Sequence, residues 1–74
     1  MFKIHEFTRP NGVRALEVTI QNNYPKYDQV VDWFIKNFGK EPNSNWLIIK
    51  YDGWKVVVNI DHEENIALFK LTWM

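Results

Sequence analysis

Trp46-Leu47-Ile48-Ile49-Lys50-Tyr51, Trp54-Lys55-Val56-Val57-Val58-Asn59-Ile60 and Ile66-Ala67-Leu68-Phe69-Lys70-Leu71-Thr72-Trp73 carry the strongest periodic signal in the chain. Taken alternately, each run carries one fully apolar face, the pattern of a strand against a core. Asp52-Gly53 is a two-residue hairpin signal. It places Tyr51 opposite Trp54, Ile49 opposite Val56 and Leu47 opposite Val58. A loop over His62 to Asn65 then sets Val58 against Phe69, Val56 against Leu71 and Trp54 against Trp73. Both turns give the same apolar face, so the sequence predicts a three-stranded meander.

The reverse face of that meander is only half polar. It mixes Trp46, Ile48, Val57, Ile66 and Leu68 with Lys50, Lys55 and Lys70. In this register Lys50 lies opposite Lys55, and like charges placed across strands are unfavourable unless something neutralises them. An apolar and aromatic centre rimmed by lysines has the anatomy of a binding surface. The competing explanation is shelter by lysine stems and loops of the same chain.

Working outward, Tyr27 to Phe38 reads as the one helix. Val30, Val31, Phe34, Ile35 and Phe38 join Tyr27 in a single stripe. Pro25 marks the first turn, Gly39 the C-terminal cap, and Pro42 follows just beyond. Trp33 is the misfit, roughly 130° from the stripe centre at about 100° per residue. It sits there with Asp32 and Lys36, as a second contact residue or as peripheral packing. Before the helix, Phe2–Thr8 and Val13–Gln21 form a hairpin around Arg9-Pro10-Asn11-Gly12. Pro10 suits the first central position of a type I turn and Gly12 the left-handed bulge position. With Arg9 opposite Val13, Phe2 faces Ile20 and Ile4 faces Val18, and Leu16 shares their side. The order ββαβββ is an α+β fold: a mostly antiparallel five-stranded sheet with one helix on one face.

Composition narrows the function classes. Seventy-four residues suit one domain, spanning 1–74. A domain of that size buries only about 60% of its unfolded surface. There is no cysteine, so neither disulfides nor thiolate zinc sites support it. Four Trp, three Tyr and five Phe fill the gap, and oligomerisation is another common support. Nine basic and nine acidic residues balance. That argues against dominant nucleic-acid binding, which normally shows a basic excess, and against a polyanionic mimic of DNA. No apolar run approaches the roughly 20 residues of a membrane helix, and the N-terminus lacks a signal-peptide core. A cytoplasmic location is the expectation.

No nucleophile, Gly-rich loop or metal-ligand spacing stands out, so no catalytic, cofactor or metal site is assigned and no enzyme is expected. His5 and Glu17 pair across the first hairpin, which is ordinarily a solvated cross-strand contact. Asp61-His62-Glu63-Glu64 gathers potential ligands on one turn, but adjacent loop residues point apart. The expected function is a non-enzymatic protein-interaction module that docks through the open sheet face, using Trp46, Ile48, Lys50, Lys55, Val57, Ile66, Leu68 and Lys70, with Trp33. Its partner would be another protein or a second copy, as for a small inhibitor or adaptor such as a phage or mobile-element antagonist of a host protein. The alternative is a single-stranded nucleic-acid accessory protein using the Lys/Trp-bearing face.

Overall fold

The computed structural model describes residues 2–21, 27–52 and 55–74. The elements are β1 (Lys3–Thr8), β2 (Arg14–Gln21), α1 (Tyr27–Phe38), β3 (Trp46–Asp52), β4 (Lys55–Asp61) and α2 (Glu63–Trp73). The sheet is antiparallel with four strands in the order β1-β2-β4-β3. The α+β class holds, with two corrections: four strands instead of five, and two helices instead of one.

The first hairpin forms as its turn chemistry dictates. Ile4 pairs with Val18 and His5 with Glu17. The Arg9 N–H donates to the Val13 carbonyl at 2.9 Å, and Gly12 takes φ +87°. A side chain at Gly12 would be strained in that conformation, so glycine closes the bulged loop. Gly39 does the same after α1, with φ +85° and its N–H donating to the Ile35 carbonyl at 2.9 Å.

The largest correction is Ile66–Trp73, which is helix and not strand. Eight residues of mixed apolar character satisfy both periods, and alternation alone does not separate them. Other signals favour the helix. Glu63 and Glu64 occupy the first turn, where carboxylates meet the positive end of the helix dipole. Ala67, Leu68, Lys70 and Leu71 are strong helix formers. Ile66 and Phe69 fall on one side and are buried, with Trp73 partly buried one turn further on. His62 makes the junction at φ +79°, donating its N–H to the Arg14 carbonyl at 2.9 Å. Its own carbonyl accepts from the N–H groups of Asn65 and Ile66, each at 3.1 Å.

Both helices lie on the same sheet face. Leu16, Val18 and Ile20 of β2 and Val56, Val58 and Ile60 of β4 are wholly buried there. Phe34 of α1 is the hinge of the core. It stacks on Trp46 at 5.0 Å and on Phe69 of α2 at 5.7 Å, so one ring joins three elements. Trp33, the misfit of the helical stripe, fills the seam between the helices, 6.2 Å from both Phe69 and Trp73. Its odd position on α1 is the imprint of a second helix.

The β3–β4 register also differs. Pairing runs from Asp52↔Lys55 and Tyr51↔Val56 to Ile48↔Val58 and Trp46↔Ile60, with a shift between Ile48 and Lys50. The expected turn falls partly on Gly53 and Trp54, outside the described residues. The shift leaves Ile49 as the extra residue of a bulge and turns Trp46 and Ile48 toward the helices. Trp46, the larger side chain, gains most from burial. Its indole N–H donates to the Gly39 carbonyl at 2.7 Å, which satisfies the one polar atom it takes inside.

Candidate functional site

The residues expected to form one open-face patch are distributed over three surfaces. Trp46 is 1% exposed inside the core, with Ile48 half-buried beside it. Ile66, Leu68 and Lys70 belong to α2, and Trp33 lies between the helices. Only Lys50, Lys55 and Val57 remain on the helix-free face. There Lys50 pairs with Val57, and Lys55 pairs with Asp52, so the like-charge opposition is removed.

The helix-free face is mainly polar. Its rows run Phe7–Ala15–Asp61, His5–Glu17–Asn59–Leu47 and Lys3–Thr19–Val57–Lys50. Arg9 clamps one corner. Its Nε donates to both carboxylate oxygens of Asp61, at 3.0 and 3.1 Å, and Nη2 donates to Oδ1 at 2.9 Å. The guanidinium lies 5.4 Å from the Phe7 ring centre, and the His5 ring stacks with the same Phe7 ring at 5.9 Å. Oriented to satisfy both ends of its amide, Asn59 accepts from Arg9 Nη2 at 3.3 Å. Asp61 is thus occupied by Arg9, and Glu63 and Glu64 serve the start of α2. Among the described residues, no three acidic or histidine side chains gather as a metal site.

Large apolar side chains are exposed singly at Ile35 of α1 and at Ile49 and Tyr51 of β3, and three more are exposed on α2 and at its C-terminal end. Leu71 is 85% exposed, Met74 65% and Leu68 40%. Ala67, Leu71 and Met74 stand at i, i+4 and i+7, one helical stripe. The Met74 N–H donates to the Lys70 carbonyl at 3.0 Å, which carries the last turn through that residue. At its inner border, Ala67 lines one shallow depression with Glu6, Arg14, Glu63, Ile66 and Lys70, beside β1. Below it, Phe2 meets Phe69 at 5.6 Å and Trp73 at 6.2 Å. Leu71 and Met74 were absent from the sequence-derived set because the strand reading assigned Leu71 to the core side. Their helical spacing was the signal available.

Glu6 ties β1 to α2. Lys70 Nζ donates to its Oε2 at 2.6 Å, and Arg14 Nη2 donates to its Oε1 at 2.9 Å. The hydrogen bond and charge of Lys70, followed by those of Arg14, hold the Glu6 carboxyl below its ordinary value of 4.5. A depressed folded-state value means that the ionised form favours the fold. The contribution is therefore complete above about pH 4.5 and is lost as pH falls through the lower folded value. Glu6→Gln is expected to lower the urea midpoint at neutral pH. The gap from the parent protein should close as pH is taken below 4.5. A gap that stays constant across this range in parallel urea titrations would remove the clasp.

The two sheet edges are unlike. At β3, the Trp46 N–H donates to Asn43 Oδ1 at 3.2 Å and the Asn43 N–H donates to the Trp46 carbonyl at 3.2 Å. The Ile48 N–H donates to Glu41 Oε2 at 3.3 Å. The 39–45 loop thus covers the Trp46–Ile48 end of that edge. At β1, the Arg9-to-Val13 bond sets the alternation: Phe7, His5 and Lys3 bond to β2, while Ile4, Glu6 and Thr8 turn their backbone groups outward.

No family model, curated protein or solved structure matches the chain.

Proposed function

We propose that the protein is a non-enzymatic protein-interaction module whose docking surface is the outer stripe of α2. The observation that carries this reading is Leu71, 85% exposed, between Ala67 and Met74 on a helix that also buries Ile66 and Phe69. A helix apolar on both sides is ordinarily enclosed on both sides. Scattered apolar residues are normal on a surface, but a contiguous stripe marks a contact site. Met and Leu also suit such surfaces because their side chains adapt to a partner. Docking in the manner of a small inhibitor or adaptor fits this arrangement. No helix among the described residues is long and apolar enough to cross a membrane.

The nucleic-acid alternative draws less support from the geometry. Trp46, its stacking residue, lies inside the core, and Glu17 occupies the middle of the helix-free face. Single-strand binders need exposed rings within a cationic groove.

A photo-crosslinking amino acid at Met74, introduced in the native host, should give a discrete adduct with a protein. Leu71→Glu should abolish that adduct while changing stability by less than about 0.5 kcal/mol, as expected for an exposed site. The same probe at Lys36, on the exposed side of α1, should give none. Equal background labelling from positions 74 and 36 would sink the reading.

A further inference from the structure

We infer that the free edge of β1 is a strand-addition site for a second copy of this chain, forming a two-fold dimer with one continuous sheet. The assignment rests on the protein-docking reading above and names its partner. Two independent features meet on this side of the molecule. One is the outward backbone of Ile4, Glu6 and Thr8, whose N–H and C=O groups project from the sheet, whereas Asn43 and Glu41 cap Trp46 and Ile48 on the opposite edge. The other is the Ala67–Leu71–Met74 stripe, whose Ala67 borders the same depression as Glu6 of β1. A strand laid on β1 completes the unpaired ladder and passes the Ala67 end of the stripe. Exposed strand edges are templates for such pairing.

The pattern of β1 selects a second copy. In an antiparallel pair with the two-fold axis at His5, Ile4 faces Glu6 of the other copy and Phe2 faces Thr8, so residues 2–8 are all paired. Glu6 already holds Lys70 and Arg14, so it brings no uncompensated charge to this contact. On the other face Lys3 lies across from the Phe7 ring, a cation–π arrangement. Centring the pair on Glu6 would oppose Glu6 to Glu6 and Lys3 to Arg9, which is unfavourable. Centring it on Ile4 would leave Thr8 without a partner. The chain carries zero net charge, so two copies approach without overall repulsion. The dimer would have the strand order β3-β4-β2-β1 in each half, joined at the two β1 strands. Its interface is isologous, as two-fold symmetry requires.

The absence of cysteine provides a clean test. His5 would face His5 as a non-hydrogen-bonded pair, with Cα atoms about 4.5 Å apart and within disulfide reach. Sedimentation velocity should show a concentration-dependent dimer. Mild oxidation should convert H5C to a covalent dimer at least about tenfold faster than the control K36C, because pairing raises the local thiol concentration. Ile4→Pro removes an outward N–H and no bond to β2, so it should leave a monomer. Thr8→Pro, farther from the core, repeats the test should Ile4→Pro unfold. A monomer at all concentrations, with H5C no faster than K36C, overturns the dimer. If the Met74 adduct with another protein persists in that case, the docking reading stands without it. A dimer that survives both proline variants and is lost in Leu71→Glu also overturns the edge assignment. A monomer that loses the Met74 adduct with Ile4→Pro has a foreign strand on β1, which again overturns the second copy.

Discussion

Phe34→Ala is expected to cost about 3–5 kcal/mol, the range for truncating a fully buried aromatic. A chain of 74 residues has a total stability of roughly 4–11 kcal/mol on per-residue averages, so the variant should be largely or marginally unfolded. The expected cost is high because of what the ring joins. Phe34 is wholly buried, with Trp46 of β3 on one side and Phe69 of α2 on the other. It also lies 5.9 Å from Phe38 and 5.5 Å from Trp33. Removing it opens a cavity at the point where sheet and both helices meet. Phe34→Leu, which retains most of the volume, should cost much less. Urea titration followed by tryptophan fluorescence reads both variants. A loss below about 1 kcal/mol for Phe34→Ala would show that this junction is not the centre of the core.

The second large effect concerns α2. Ala67→Pro is expected to cost about 3 kcal/mol or more, because proline lacks the N–H and its ring collides with the carbonyl one turn earlier. Ala67 is exposed, so the substitution removes no buried packing and isolates the backbone effect. The comparison is Ala67→Ser, where helix propensity alone should cost less than about 0.7 kcal/mol. Losing α2 would also uncover Ile66 and Phe69 and release Lys70 from Glu6. Far-UV circular dichroism should therefore fall along with the urea midpoint. Equal tolerance of proline and serine at position 67 would contradict the helix.

The hairpin, α1 and the core face of β4 were legible in the sequence because their signals are local. Pro10 and Gly12 close a loop through their own backbone preferences. The stripe of α1 repeats over three turns, and Val56, Val58 and Ile60 alternate without ambiguity. Ile66–Trp73 was not legible by alternation, since a short run apolar on every side fits either period. The acidic first turn and the helix-forming residues were the better guide there. Trp33 was a further clue, because a large ring off the stripe needs a neighbour that a single helix does not supply. Of the expected docking residues, Leu68 alone is a large apolar side chain exposed on the α2 surface. Leu71 and Met74 emerged once the helix was in place.

By itself, the amino-acid order determined an α+β chain with a bulged first hairpin, a single-stripe helix and a central strand made for burial. Those choices depend on backbone angles and on side chains a few residues apart. Only the tertiary structure decided which side of β3 faces inward, that the last segment coils, and where apolar surface remains uncovered. Each of these turns on competition between distant groups for limited core volume. Trp46 won its place because Phe34 and the Gly39 carbonyl were there to receive it, and Leu71 stayed outside because Ile66 and Phe69 had filled the space beneath α2.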